Sequence, residues 1–283
     1  MVDRNNSRPL FLQAVRCPVC GAGMAWNSSA GAGVLYCLGE KVHAFDAARS
    51  GYIHLVPGHA GSGDGKEAVR ARHAFLTAGY YECAAQMLCD LTRSYAGEGL
   101  IVDAGCGEGY YSNFLAEREG REVCGFDLSR DGVATAARDA ARRSLHATYG
   151  VASVFSLPLA DASASAVLNI FAPCAESEYR RVLSEGGILI VVGAGKQHLM
   201  GLKKVLYDQT YENPGRQDLP CGLRLLEQTT VHRTICVEGE EQVANLFAMT
   251  PYYWRTSPHD AERLRGRREL ETSVSFDFFV YGV

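Results

Sequence analysis

The chain has 283 residues, 47% hydrophobic and 21% charged, with a formal net charge of −4. This is ordinary globular composition, which excludes a disordered chain, and the length fits one large or two unequal domains. The charge excludes a uniformly basic protein that holds nucleic acid by bulk attraction and leaves room for a local basic face. The N-terminus, MVDRNNSRPLFLQAVRC, has no long apolar core and no small-residue cleavage site, so it does not read as a secretory signal. No stretch of about 18 uninterrupted apolar residues exists, so no membrane span is expected. The expected location is the cytoplasm, where the ten cysteines read as metal ligands or free thiols before they read as disulfides.

A metal-site pattern comes first along the chain. Cys17-Pro-Val-Cys20 is a C-x-x-C pair, and Cys37 and His43 follow it. Zinc takes four such ligands in a tetrahedron, and a C-x-x-C turn points two thiolates at one ion. Trp26 and the run Val34-Leu35-Tyr36 predict two short strands around an Asn/Ser/Gly-rich turn. A segment this short has little core, so a closed metal site would supply folding energy. A thioredoxin-type redox C-x-x-C fits less well, since no βαβ pattern surrounds it.

Residues 58–66 are linker-like in composition, and the domain division is expected at 1–60, 61–98 and 99–283. Apolar spacing predicts helices over 67–81 and 83–95. Leu100 to Asp103 then reads as a buried strand, followed by a glycine loop with Gly105, Gly107 and Gly109 and a helix from Tyr110 to Glu119. Strand, glycine loop, helix is the context that a nucleotide-binding loop requires. A second strand, 122–126, ends at Asp127, where an acid can hold both ribose hydroxyls. Ser129 is placed to cap a helix over 130–143.

A dinucleotide dehydrogenase competes for this pattern. The spacing D-x-G-x-G-x-G differs from G-x-G-x-x-G, and Asp103 stands where a pyrophosphate would be repelled. The ammonium and sulfonium of S-adenosylmethionine would instead be attracted there. Strands at 146–151, 165–171 and 188–192, helices at 176–183 and 199–208, and two late β-rich runs at 229–237 and 272–281 around a helix at 241–247 continue the alternation. The expected fold is α/β, a doubly wound sheet closed by an antiparallel pair. Asn169 to Cys174 would lie near the reacting centre, at the carboxyl end of a strand.

The stretches CPVCG, HAFDAARSGYIHLVP, ARHAFLTAGYY, DAGCGEGYYS, GFDLS, FAPC, KQHLMGLKK and MTPYYW together resemble the 23S ribosomal RNA (guanine-N1)-methyltransferases of the RlmA type, over nearly the whole chain. The resemblance implies a class I, Rossmann-like methyltransferase domain with a seven-stranded sheet and a small N-terminal zinc-binding β module. It implies zinc on Cys17, Cys20, Cys37 and His43, and S-adenosylmethionine contacts from Tyr81, Tyr111, Ser112 and His198, with Asp127 on the ribose. It further implies methylation of guanine N1 in a hairpin loop of domain II of 23S rRNA, by a homodimer whose zinc modules flank an RNA-binding cleft. With a net charge of −4, the RNA-binding charge must be local: Arg70, Arg72, His73, Lys196, Lys203, Lys204 and the run 263–268 are the candidates. Tyr80, Phe171, Tyr252, Tyr253 and Trp254 are candidates to stack on a flipped base. Guanine N1 carries a proton at neutral pH, so a general base, or a group that stabilises the anionic ring, is required. Asn169, the carbonyls of 171–173 and His198 are near enough to be considered, and the sequence does not choose among them. A class I enzyme for a small molecule and an inactive zinc-ribbon RNA binder remain as competing readings.

Overall fold

A computed structural model describes residues 9–28, 33–56, 63–216, 220 and 222–283. Most of the expected linker and the middle of the expected turn lie outside the described residues. The N-terminal segment holds α1 (Pro9–Ala14), β1 (Met24–Asn27), β2 (Val34–Cys37), β3 (Ala44–Asp46) and β4 (Ile53–His54). As expected, β1 and β2 pair as an antiparallel hairpin, with Met24 opposite Cys37 and Asn27 opposite Val34; β3 adds to β2. Met24, Trp26 and Leu35 are too few to form a core alone. They join a larger apolar cluster with Phe11, Leu157 and Tyr179. Glu122 fastens α1 from far along the chain, accepting from the backbone N–H of Leu10 (3.1 Å) and Phe11 (2.8 Å). Two of the donors left open at a helix start are thereby satisfied.

Two helices follow, α2 (Lys66–Thr77) and α3 (Glu82–Tyr95). The alternating part then runs β5 (Ile101–Ala104), α4 (Tyr110–Glu119), β6 (Val123–Asp127), α5 (Arg130–Arg142), β7 (Ala147–Val151), β8 (Ala164–Ile170), α6 (Glu176–Val182), β9 (Leu183–Ala194) and α7 (Met200–Leu206). It closes with β10 (Arg224–Glu238), α8 (Glu240–Ala248), the short α9 (Tyr252–Arg255) and α10 (Pro258–Ala261), and β11 (Glu269–Gly282). Ser129 caps α5 as expected, its Oγ accepting from Gly132 N.

The sheet order is β10-β11-β9-β8-β5-β6-β7-β4. The seven expected strands are present, and β4 adds an eighth. It pairs in parallel with β7, Ile53 opposite Gly150, and covers what would be an open edge. Among these strands β11 is antiparallel to both β9 and β10, and the remaining pairings are parallel. The central strands are apolar throughout because both sheet faces are covered. Along β9, Ile188, Ile190 and Val192 enter one cluster while Leu189 and Val191 enter the other. The order reverses between β5 and β8. Open α/β sheets bind ligands at the carboxyl ends of strands flanking such a reversal.

Candidate active site and metal centre

The loop after β5 needs its glycines. Gly105, Gly107 and Gly109 have φ of 93°, 52° and 75°, in the left-handed region. A β-carbon on Gly105 would stand 2.4 Å from the Cβ of Ala172, and one on Gly109 would stand 2.5 Å from that of Ala136. Asp127, at the end of β6, ties this loop down. One carboxylate oxygen accepts from Gly107 N (3.0 Å) and the other from Ser129 N (2.7 Å). Each oxygen keeps further acceptor capacity for a ligand hydroxyl.

Asp103 ends β5 and is 2% exposed. Ser112 Oγ donates to its Oδ2, while Oδ1 has no hydrogen-bond partner among the described residues. Burial pushes the carboxyl up to about 7, with Asp127 and Glu108 adding to the effect and Ser112 opposing it. A buried carboxylate oxygen left open is a place for a cation. Asp103, Gly107, Tyr111, Asp127, Phe155 and Phe171 line a cavity of about 310 Å³ here. Of the sequence-predicted contacts, Asp103, Gly105, Gly107, Tyr111 and Asp127 reach it. Ser112 is wholly buried behind Asp103 and reaches the site through that carboxylate.

Tyr81 and His198 stand further back, 4% and 6% exposed, and bond to each other. His198 Nδ1 accepts from Ser275 N (3.1 Å), so the ring proton sits on Nε2 and is shared with the Tyr81 hydroxyl at 3.1 Å. Burial holds the imidazole down to about 4, and the charge of Lys203 pushes the same way. With both nitrogens committed and the ring neutral, His198 is removed as a candidate base. The pair packs against Phe276, and His198 also lies near the Phe171 ring, so together they back one wall of the cavity.

Asn169 was expected near the reacting centre. It is fully buried, its amide donating to Pro173 O (2.9 Å) and to Tyr179 Oη (2.7 Å). It therefore shapes the loop after β8 and does not face the cavity. In that loop Phe171 has φ of 53°, unusual for a residue with a side chain, and its ring is 48% exposed. Strain of this kind is concentrated at functional sites.

The expected basic face is not assembled as listed by the sequence. Arg72 turns inward: its Nε meets Glu108 at 2.5 Å and its Nη1 meets Asp64 at 2.6 Å. His73 faces Asp139 at 3.4 Å, and Lys203 is fully buried. Arg263 and Arg265 pair with Asp208 and Glu262, while Arg70, Lys196 and Lys204 remain exposed. The Arg72–Glu108 pair was missed by sequence reasoning, although a glutamate inside a buried glycine loop signals that a cation must come from elsewhere. Among the candidate stacking rings, Phe171 reaches the cavity. Tyr80 stacks on Phe75 at 4.6 Å, and Tyr253 and Trp254 lie exposed elsewhere.

The second cluster is at the hairpin. The ligand atoms of Cys17, Cys20, Cys37 and His43 all lie within 4.8 Å of one another. His43 Nδ1 is 3.5 Å from Cys17 Sγ and 3.3 Å from Cys37 Sγ, and Cys20 Sγ is 4.0 Å from Cys37 Sγ. Such separations are the edges of a tetrahedron around one ion bonded at about 2.0–2.3 Å. His43 N also donates to Cys37 Sγ (3.1 Å), which helps bring that thiol down to about 6 and favours the thiolate. The group can hold a metal ion.

A family described as a methyltransferase domain matches residues 101–187, the segment from β5 into β9. A Streptomyces fradiae protein named 23S rRNA (guanine(748)-N(1))-methyltransferase is 32% identical, over 95% of this chain and 97% of that protein. A Micromonospora griseorubida relative with a 23S rRNA (guanine-N1)-methyltransferase name is 33% identical over 88% of this chain and 90% of its own. One from Bacillus subtilis is 27% identical over 96% and 98%. The class I sheet, the acid-lined glycine loop and full-length similarity agree: the chain belongs to the 23S rRNA (guanine-N1)-methyltransferase family.

Proposed function

We propose that this protein transfers a methyl group from S-adenosylmethionine to N1 of an unpaired guanine in a 23S rRNA hairpin loop. The observation that carries the reading is Asp103, buried at the sheet's reversal point with one carboxylate oxygen open toward the glycine loop. That oxygen fits the ammonium of the methyl donor. The two oxygens of Asp127 fit the ribose hydroxyls, and Gly105, Gly107 and Gly109 permit close approach. Tyr111 lies on the wall, Ser112 orients Asp103, and Tyr81 with His198 fixes the Phe171 side. When bound, the cofactor supplies an electrophilic methyl group on a sulfonium. The chain's own work is to hold the two partners in line, worth about 7–11 kcal/mol when geometry is optimal. N1 lies on the pairing edge, so the target must be unpaired or flipped.

Zinc on Cys17, Cys20, Cys37 and His43 belongs to this reading and would make the hairpin rigid. So do the cytoplasmic location of the substrate, a homodimer, and a division into a zinc module (1–60), a helical segment (61–98) and a methyltransferase domain (99–283). The test is nucleoside mass spectrometry on a hairpin-loop transcript incubated with purified protein and S-adenosylmethionine. N1-methylguanosine is the expected product. Cofactor binding without any methylated guanosine would move the substrate to another molecule.

A further inference from the structure

A second cavity, of about 550 Å³, opens beside the cofactor cavity. The two share a single wall, the segment Phe171-Ala172-Pro173 after β8. The end of β9 and residues 213–216 form its other side. Among its described lining residues Arg216 carries the only charge. Its Nη2 donates to Ala172 O (2.7 Å) and its Nη1 to Val192 O (3.1 Å), so the guanidinium bridges the ends of β8 and β9. Its stem crosses Gly193, where a β-carbon would come within 3.4 Å of it. The segment carrying it is anchored in turn. Lys203 Nζ donates to Tyr211 O (2.9 Å) and Asn213 Oδ1 (2.8 Å), and Asn213 Nδ2 donates to Gly195 O and His198 O (both 3.0 Å). The result is a cation held in advance, next to a half-exposed aromatic ring and one chain segment away from the cofactor cavity.

We propose that this second cavity receives the target guanine and that Arg216 is a catalytic residue, its guanidinium facing O6 while N1 loses its proton. The inference rests on the guanine-N1 reading above. In the step, the N1 proton leaves to water and its electron pair stays on the ring, shared between N1 and O6. That pair forms the N–C bond to the methyl group, and the pair of the breaking C–S bond goes to sulfur. The products are N1-methylguanine, a neutral thioether and one proton. A fixed cation at O6 favours the anionic ring, which does the task of a base without accepting a proton. This accords with a site where the His198 nitrogens are both engaged and the described lining of the second cavity holds no carboxylate or imidazole. The Phe171 ring on the shared wall offers a stacking face.

The test compares Arg216→Gln and Arg216→Lys with the unaltered protein, in single turnovers at saturating hairpin RNA from about pH 6 to about pH 9. The Gln variant is expected to lose about 100-fold or more near neutrality, as for removal of one oxyanion donor. Its rate should keep climbing with pH where that of the unaltered protein levels off. The Lys variant should fall between them, and S-adenosylhomocysteine affinity by calorimetry should be equal in all three. A Gln variant with unaltered rate and pH profile overturns the inference, as does a loss confined to KM. If the Gln variant also loses S-adenosylhomocysteine, the Lys variant decides: a displaced profile supports the proposal and an undisplaced one overturns it. An unaltered protein that makes no N1-methylguanine refutes the guanine-N1 reading itself, and the inference falls with it. N1-methylguanine made equally well by the Gln variant refutes the inference alone.

Discussion

Replacing Asp103 by Asn should stabilise the free protein and weaken its cofactor binding. The carboxyl is 2% exposed and pushed from its ordinary 3.8 up to about 7. At about 1.4 kcal/mol per unit, keeping it ionised costs the fold about 4 kcal/mol above pH 7. Asn removes that cost and still offers Ser112 an acceptor. Its amide finds no partner where Oδ1 stands, which costs about 1–3 kcal/mol, so the net gain is about 2 kcal/mol above pH 7. The sign with pH follows from the raised value. Between the ordinary 3.8 and the folded 7, the parent loses stability as pH rises, and above that the loss is complete. The advantage of the Asn variant should therefore shrink by about 3 kcal/mol on going from pH 8 to pH 5. A chain of this length shifts its melting temperature by about 2 °C per kcal/mol, so the gap between the two melting temperatures should change by about 5 °C. Over the same comparison, S-adenosylhomocysteine should bind the variant about 10- to 100-fold more weakly at pH 8, by loss of a charged hydrogen bond. Thermal melts and titration calorimetry at both pH values read this out. A gap independent of pH, or an unchanged affinity, would refute the role given to Asp103.

Three further outcomes are expected. Asp127→Ala should weaken S-adenosylhomocysteine binding by about 1–3 kcal/mol and also lower the melting temperature, because Gly107 N and Ser129 N both lose their acceptor; equal affinity by calorimetry would remove Asp127 from the site. Cys17→Ser combined with Cys20→Ser should abolish bound zinc by metal analysis and loosen the hairpin against protease; a full equivalent of zinc in the folded variant would contradict the ligand assignment. Tyr81→Phe removes the hydroxyl beside His198 Nε2 and leaves a buried N–H open, so a loss of about 1–3 kcal/mol in denaturant stability is expected. No loss at all would show that the Tyr81–His198 bond does not hold the wall.

The parts legible in the sequence were those whose physics is local. β5, its glycine loop and Asp127 could be read because an apolar run, positive-φ glycines and a capping Ser129 each act within a few residues. The Cys17–His43 group was legible because ligand chemistry restricts the residue types. What was not legible depended on distant partners. β4 has two residues, and only the open edge of β7 makes it a strand. Arg72 looked like a solvated helix residue, yet Glu108, thirty-six positions later, draws it into the glycine loop. Lys203 looked like a surface cation, yet a carbonyl and an amide oxygen from residues 211 and 213 hold it fully buried. Asn169 had the right address and the wrong orientation, because Tyr179 and the Pro173 carbonyl take its amide. Nothing near Arg216 in sequence announces that it will bridge two strand ends.

Primer extension across the domain II hairpin of 23S rRNA, from cells with and without this gene, tests the central claim most directly. A methyl group on N1 blocks the pairing edge and halts reverse transcriptase beside the modified base. The account predicts a stop in that loop that depends on the gene and disappears in cells carrying Asp103→Asn or Asp127→Ala. Equal read-through in cells with and without the gene would contradict it.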